Sequence, residues 1–266
     1  MHRRVLVGLA AVAVLALAPA GASAWAPAST ATVHPGVQTI TSGAQCTANF
    51  VFTSGGNTYL GQAAHCSGTG AATDTNGCTS ASLPLGTPVT VQGASKPGTL
   101  AYNSWLSMQS AKETDSETCQ YNDLALVKLD PADVANTNPS IPKWGGPAGV
   151  GTAAALDDVY SYGNSSLRAG VTQLSPKRGK VVEVTPGGWS YTLYTLTPGI
   201  PGDSGSAFLN ATGQALGVLS TVAIAPLVAS NGVGDIGKEI AYARAHGFAD
   251  LTLVDGTVAF KGGLPI

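Results

Sequence analysis

From Cys46 onward the chain is a succession of short apolar, β-branched and aromatic runs broken by Gly, Pro, Asn and Ser. Residues 49–53 and 58–64 flank Ser54-Gly55-Gly56-Asn57, a hairpin signal. Runs at 89–92, 100–108 and 123–129 continue a first series of strands. Asp130-Pro131 opens a stretch to residue 151 that is rich in Pro, Asn and Gly and reads as a connector. A second series follows at 158–162, 180–184, 190–196, 206–209 and 215–221. Residues 235–246 are the one helical pattern: Asp235 can cap it, Ile236, Ile240 and Ala243 share a face, and Gly247 stands where a helix stops. The pattern predicts an all-β protein of two similar-sized lobes with a cleft between them and a C-terminal helix.

The ends read differently. His2, Arg3 and Arg4 precede an apolar run at residues 5–18, and Ala22-Ser23-Ala24 supplies small residues after it. Residues 1–24 therefore read as a signal peptide cleaved after Ala24. The run is shorter than the roughly 18 residues of a spanning helix, and no second stretch is long enough, so no membrane association is expected of the mature form. Residues 25–45 read as a lead-in or short pro-segment and 249–266 as a C-terminal tail. Charged residues make up only 11% of the chain and the net charge is −2, which offers no basic patch for nucleic acid. The four cysteines of an exported chain read as two disulfides, with three pairings open. No C-x-x-C or paired histidine at ligand spacing is present, so neither a metal nor a cofactor is predicted.

Three short motifs carry candidate chemistry: Ala63-Ala64-His65-Cys66, Asn122-Asp123-Leu124-Ala125-Leu126 and Gly202-Asp203-Ser204-Gly205-Ser206. Each is weak alone. His65 by itself reads as a buried histidine, Asp115 and Asp130 compete with Asp123, and Ser204 could be a turn serine. The apolar run after Asp123 favours it, because it sets the carboxylate at the mouth of a core strand. His34 and His246 lie in no such motif. A serine hydroxyl is a poor nucleophile until a base takes its proton. Histidine suits that task near neutral pH, and a carboxylate behind it fixes its tautomer.

With these motifs in the order His, Asp, Ser, the chain resembles the chymotrypsin-like serine endopeptidases, nearer their bacterial secreted branch, over roughly residues 36–248. The resemblance implies two packed antiparallel six-stranded-type β-barrels: barrel one at about 36–135, a connector at 131–151 and barrel two at about 152–234, followed by the helix at 235–246. It implies a triad of His65, Asp123 and Ser204, with backbone amides of Gly202 and Ser204 as the oxyanion hole. It implies disulfides Cys46–Cys66 and Cys78–Cys119, while the bridge that many relatives place beside the serine loop is missing. Asp203 braces the serine loop in the family. Its cation here is open, with Arg168 the candidate, since the Ile-Val-Gly-Gly type N-terminus is absent.

The resemblance puts Pro198 at the pocket floor, with Ser220 and Val222 along the pocket. Ser220 also matches a serine that bonds the triad carboxylate. An acidic floor residue, which selects Arg or Lys, is lacking, and Leu219 stands where glutamate-selective relatives carry histidine. Small or medium apolar side chains are therefore expected. The leading expectation is a monomeric secreted endopeptidase acting on polypeptide without a cofactor. A catalytically silent binding protein on the same scaffold is the alternative. An esterase is disfavoured by the absence of a G-x-S-x-G elbow.

Overall fold

The computed structural model describes residues 25–71, 74–222 and 229–264, so the signal segment read at 1–24 lies outside the described residues. Barrel one begins earlier than the strand pattern suggested. β1 (Gln38–Thr41) and β2 (Ala44–Thr47) form a hairpin that begins inside the segment read as a lead-in and ends two residues beyond it. Then come β3 (Val51–Ser54), β4 (Asn57–Ala63), β5 (Pro88–Val91) and β6 (Gly98–Asn103). The lead-in is packed rather than loose: Val33 is fully buried, and Ala26 donates its amide to the Thr137 carbonyl.

Residues 100–108, read as one strand, divide in two. β6 stops at Asn103, whose side chain accepts from the amides of Trp105 and Leu106 and starts α1 (Ser104–Ala111). This is an N-cap, and it overrides the strand-like alternation of the apolar residues. α2 (Ser116–Tyr121) follows, capped by Asp115, then β7 (Leu124–Lys128) and the short α3 (Pro131–Val134) capped by Asp130. Both rival aspartates thus serve as caps.

Barrel two contains β8 (Asp158–Tyr162), β9 (Pro176–Val184), β10 (Ser190–Thr195), β11 (Ala207–Leu209), β12 (Ala215–Val222) and β13 (Asn231–Asp235). They close in the order β10-β13-β12-β11-β8-β9. α4 (Ile236–Ala245) and β14 (Thr252–Leu253) end the chain. The tail is part of the body: β14 pairs with β3, and Phe260 packs edge-on against Tyr160. Barrel one is accordingly an eight-stranded sheet, β14-β3-β4-β7-β6-β5-β1-β2, rather than a six-stranded one. The all-β expectation holds, with α4 in the expected place.

Burial explains the architecture. One apolar cluster fills barrel one around Leu60, Leu100, Met108 and Val127, and another fills barrel two around Val159, Leu193, Phe208 and Val233. A third, around Phe50, Leu126, Trp144, Tyr160 and Val218, draws on both barrels and on α4. Removing this third surface from water holds the barrels together and fixes the seam where the candidate residues lie. Among the described residues no helix is long and apolar enough to cross a membrane.

The cysteines pair as Cys46–Cys66 and Cys78–Cys119, with Cα–Cα distances of 6.1 and 5.2 Å. Replacing Cys46 and Cys66 together by alanine opens a loop with a sequence separation of 20. In the chain-entropy treatment this should cost about 3 kcal/mol. Urea unfolding of the double variant checks it, and unchanged stability would contradict a stabilising closure.

Candidate active site

The pairing of β4 with β7 brings the first two candidate residues together. Ala63 faces Leu124 in the ladder, and just beyond it the Ala64 amide donates to the Asp123 carbonyl at 2.8 Å. His65 and Asp123 thus leave adjacent strands side by side. The Asp123 carboxylate grips His65 twice: Oδ2 lies 2.6 Å from the ring Nδ1, and Oδ1 accepts the His65 backbone amide at 2.9 Å. The Ser220 hydroxyl donates to the same Oδ2 at 2.6 Å. Ser220 reaches it from a β-bulge, because the β12–β13 register shifts between Leu219 and Thr221. A bulge re-aims one side chain while the flanking ladder continues. The two side chains differ in exposure, 25% for His65 and 4% for Asp123. Burial alone would push the His65 pKa down. The charge of Asp123 and its hydrogen bond outweigh that and hold it above the ordinary imidazole value.

Ser204 enters from barrel two on a turn fastened to barrel one. Its carbonyl accepts the Thr47 amide at 2.8 Å, and the Gly202 carbonyl accepts from Gln45 Nε2 and Thr47 Oγ1 at 2.9 and 2.8 Å. Gly205, at φ +86°, packs so tightly that a Cβ there would sit 2.8 Å from the Ala63 nitrogen, two residues before His65. Gly202 has φ +94°, which a side chain rarely adopts. Among the described residues the amides of Gly202 and Ser204 donate to no acceptor, and no hydrogen bond joins the Ser204 hydroxyl to His65. Such a contact is often loose before substrate binds.

The open question about Asp203 has a fuller answer than one arginine. Its carboxylate is completely buried and meets two cations: Arg168 Nη2 at 2.5 Å and Lys177 Nζ at 2.9 Å. It also accepts the amides of Ser165 and Ile200. Lys177 is itself fully buried and bonds the carbonyls of Thr197 and Pro198. Burial lowers its pKa, and Asp203 opposes that by charge and hydrogen bond. Sequence reasoning missed Lys177, because a lysine in a strand ordinarily faces water. Gln45 and Thr47 were missed too, although they flank Cys46. The expected pocket residues divide: Pro198 is exposed with its carbonyl held by Lys177, Ser220 belongs to the Asp123 cluster, and Val222 ends β12, its side chain outside the described residues. Sulfur and nitrogen atoms of Cys46, Cys66 and His65 lie within 4.8 Å of one another, but both sulfurs are spent in the disulfide and offer no thiolate to a metal.

No protein-family model and no curated protein matches this chain. Solved structures do. Protease A of Thermobifida fusca is 18% identical over 84% of this chain and 99% of its own, with a TM-score of 0.55. A glutamic-acid-specific serine protease that uses a histidine triad in substrate binding is 19% identical over 84% and 100%, with a TM-score of 0.52. The fold is that of the chymotrypsin-like serine proteases. A Glu endopeptidase is similar at 16% identity over 84% and 96%, with a TM-score of 0.50. At these identities the likeness speaks to the chymotrypsin-like fold alone, and the chemistry rests on the side chains described above.

The buried cluster around Asp203 should dominate local stability. Asp203→Asn leaves Lys177 and Arg168 buried without their carboxylate and is expected to cost about 3–5 kcal/mol in urea unfolding. Asp158→Asn, at the solvent-facing pairs with Arg178 and Lys180, should cost under about 1 kcal/mol. Equal losses would contradict this reading of Asp203.

Proposed function

We propose that the chain is a secreted serine endopeptidase in which Ser204 attacks the peptide carbonyl, His65 is the base and Asp123 orients it. The observation that carries this reading is the double grip of Asp123 on His65, through the ring and through the main chain. A carboxylate accepting at Nδ1 requires the proton there, which leaves Nε2 as the base. His65 then takes the Ser204 proton as Oγ bonds to the carbonyl carbon. The oxyanion that forms is stabilised by the amides of Gly202 and Ser204, which spend no hydrogen bond elsewhere among the described residues. The imidazolium, held by Asp123, returns its proton to the leaving amine, and water releases the acyl group by the same steps.

Supporting features extend the reading. Two disulfides suit an oxidising destination outside the cytoplasm. Pro198, the expected floor residue, carries no carboxylate of its own. Two cations, Lys177 and Arg168, lie against its carbonyl with one counter-charge, Asp203. Both cations are buried and turned onto Asp203, the floor residue offers no acidic side chain to select Lys or Arg, and small or medium apolar side chains remain our expectation. A mixed peptide library tests it, and cleavage dominated by Arg, Lys or Glu sites would overturn it.

The decisive experiment on activity is labelling with a phosphonate probe. Wild type should label and Ser204→Ala should not, whereas failure of folded wild type to label would favour the silent binding protein. Asp123→Asn should lower kcat by about 10⁴.

The pH dependence has a definite sign. Because the fold raises the His65 pKa, its contribution to stability is full below the unfolded value of about 6.5 and is lost as pH rises through the folded value. Catalysis needs the neutral imidazole, so the acid limb of kcat/KM should lie above about 6.5. A limb below that value would contradict the electrostatics of the His65–Asp123 pair.

A further inference from the structure

Behind the Asp123 carboxylate lies a second acid that the proposed chemistry does not use. Glu239 sits on α4, one helical turn after Ile236, and is completely buried. Its Oε1 accepts the backbone amide of Asp123 at 3.0 Å. It fits there because position 234 is glycine; a Cβ on Gly234 would lie 2.8 Å from that same oxygen. Among the described residues Glu239 joins no ion pair, and its Oε2 has no hydrogen-bond partner.

We propose that Glu239 is a positioning residue for the triad carboxylate, and that it acts as a neutral carboxylic acid whose Oε1 fixes the Asp123 main chain. The proposal rests on the endopeptidase reading for its catalytic consequence, but its electrostatic half stands on the geometry. An ionised carboxylate with no exposure, one hydrogen bond and no cation is costly to bury. Its charged surroundings make that worse. Asp123 faces it from the entry to β7 and Asp235 from the cap of α4, where Asp235 accepts the Tyr191 hydroxyl of β10. Tyr102 of β6 and Tyr242 of α4 share the same electrostatic neighbourhood. The nearest helical cation, Lys238, lies instead over the Trp189 ring. Burial, reinforced by the charges of Asp123 and Asp235, raises the Glu239 pKa well above the usual carboxylate value, against the opposing pull of the Asp123 amide.

The neutral form matters because Glu239 accepts the amide of the very residue whose carboxylate holds His65. A second negative charge there would hold an extra proton on His65 and push the active range to higher pH. A neutral acid supplies an acceptor for the Asp123 amide without adding charge behind the imidazole. The C-terminal helix thereby sets the back of a site whose front is built from strands of both barrels.

The test uses the full secreted chain in three forms: wild type, Glu239→Gln and Glu239→Leu. The His65 imidazole is titrated by NMR, and kcat and KM are measured separately on a peptide substrate. Glutamine keeps a neutral acceptor, so the His65 pKa in E239Q should match wild type within a few tenths of a unit. Leucine removes the acceptor, so kcat in E239L should fall about tenfold or more with KM little changed. E239Q should recover most of what E239L loses. A His65 pKa lower by about one unit in E239Q would mean that Glu239 is ionised and would overturn the neutral assignment. Wild-type kcat in folded E239L would overturn the positioning role. If E239L does not fold, the kcat of E239Q and its His65 titration decide the matter. Wild type that neither labels nor turns over would sink the endopeptidase reading, while the titration would still report the charge of Glu239.

Discussion

The buried carboxylate of Asp123 ties the site together. Its oxygens take the ring and main chain of His65 and the hydroxyl of Ser220, its carbonyl takes the Ala64 amide, and its own amide goes to Glu239. Those partners come from the end of β4, the bulge of β12 and the first turns of α4. A single residue at the mouth of β7 therefore registers barrel one, barrel two and the C-terminal helix against one another. Hydrogen bonds to a charged, desolvated group are among the stronger in a protein, and each partner lost leaves the others exposed to the full cost of that burial. The geometry of the imidazole is a consequence of this packing.

The serine turn is held by a different solution to the same problem. Without a disulfide of its own, it is braced from behind by Asp203 between Arg168 and Lys177, and from the front by Gln45 and Thr47 of β2. β2 also carries Cys46, whose bridge reaches Cys66, the neighbour of His65. One short edge strand thus touches the turn that presents the hydroxyl and the turn that presents the imidazole. This explains why the hairpin of β1 and β2 belongs to barrel one and is more than a lead-in.

What the sequence revealed was local, and what it concealed was partnership. The three motifs stood out because glycine at positive φ and an apolar strand after Asp123 leave marks in the letters themselves. The strand pattern gave the fold class for the same reason. The division of residues 100–108 into β6 and α1 was hidden, because Asn103 looks like any polar residue until its side chain is seen capping two amides. Lys177 and Glu239 were hidden more deeply. Both are charged residues that a pattern assigns to the surface, and only the fold shows that each is enclosed. Glu239 even shares the helix face with Ile236, Ile240 and Ala243, where the periodicity was read from the apolar residues alone. The β1–β2 hairpin escaped notice because its Thr and Gln residues carry little hydrophobic contrast.

The proposed chemistry requires a hydroxyl from barrel two to meet an imidazole from barrel one beside a pair of unspent amides. A crystal structure of the phosphonylated protein tests it most directly. A phosphorus–oxygen bond to Ser204 is expected, with one phosphoryl oxygen within about 3 Å of the Gly202 and Ser204 amides and His65 Nε2 within hydrogen-bond reach of the adduct. Phosphorus on another side chain, or a phosphoryl oxygen turned away from those amides with His65 out of reach, would contradict it.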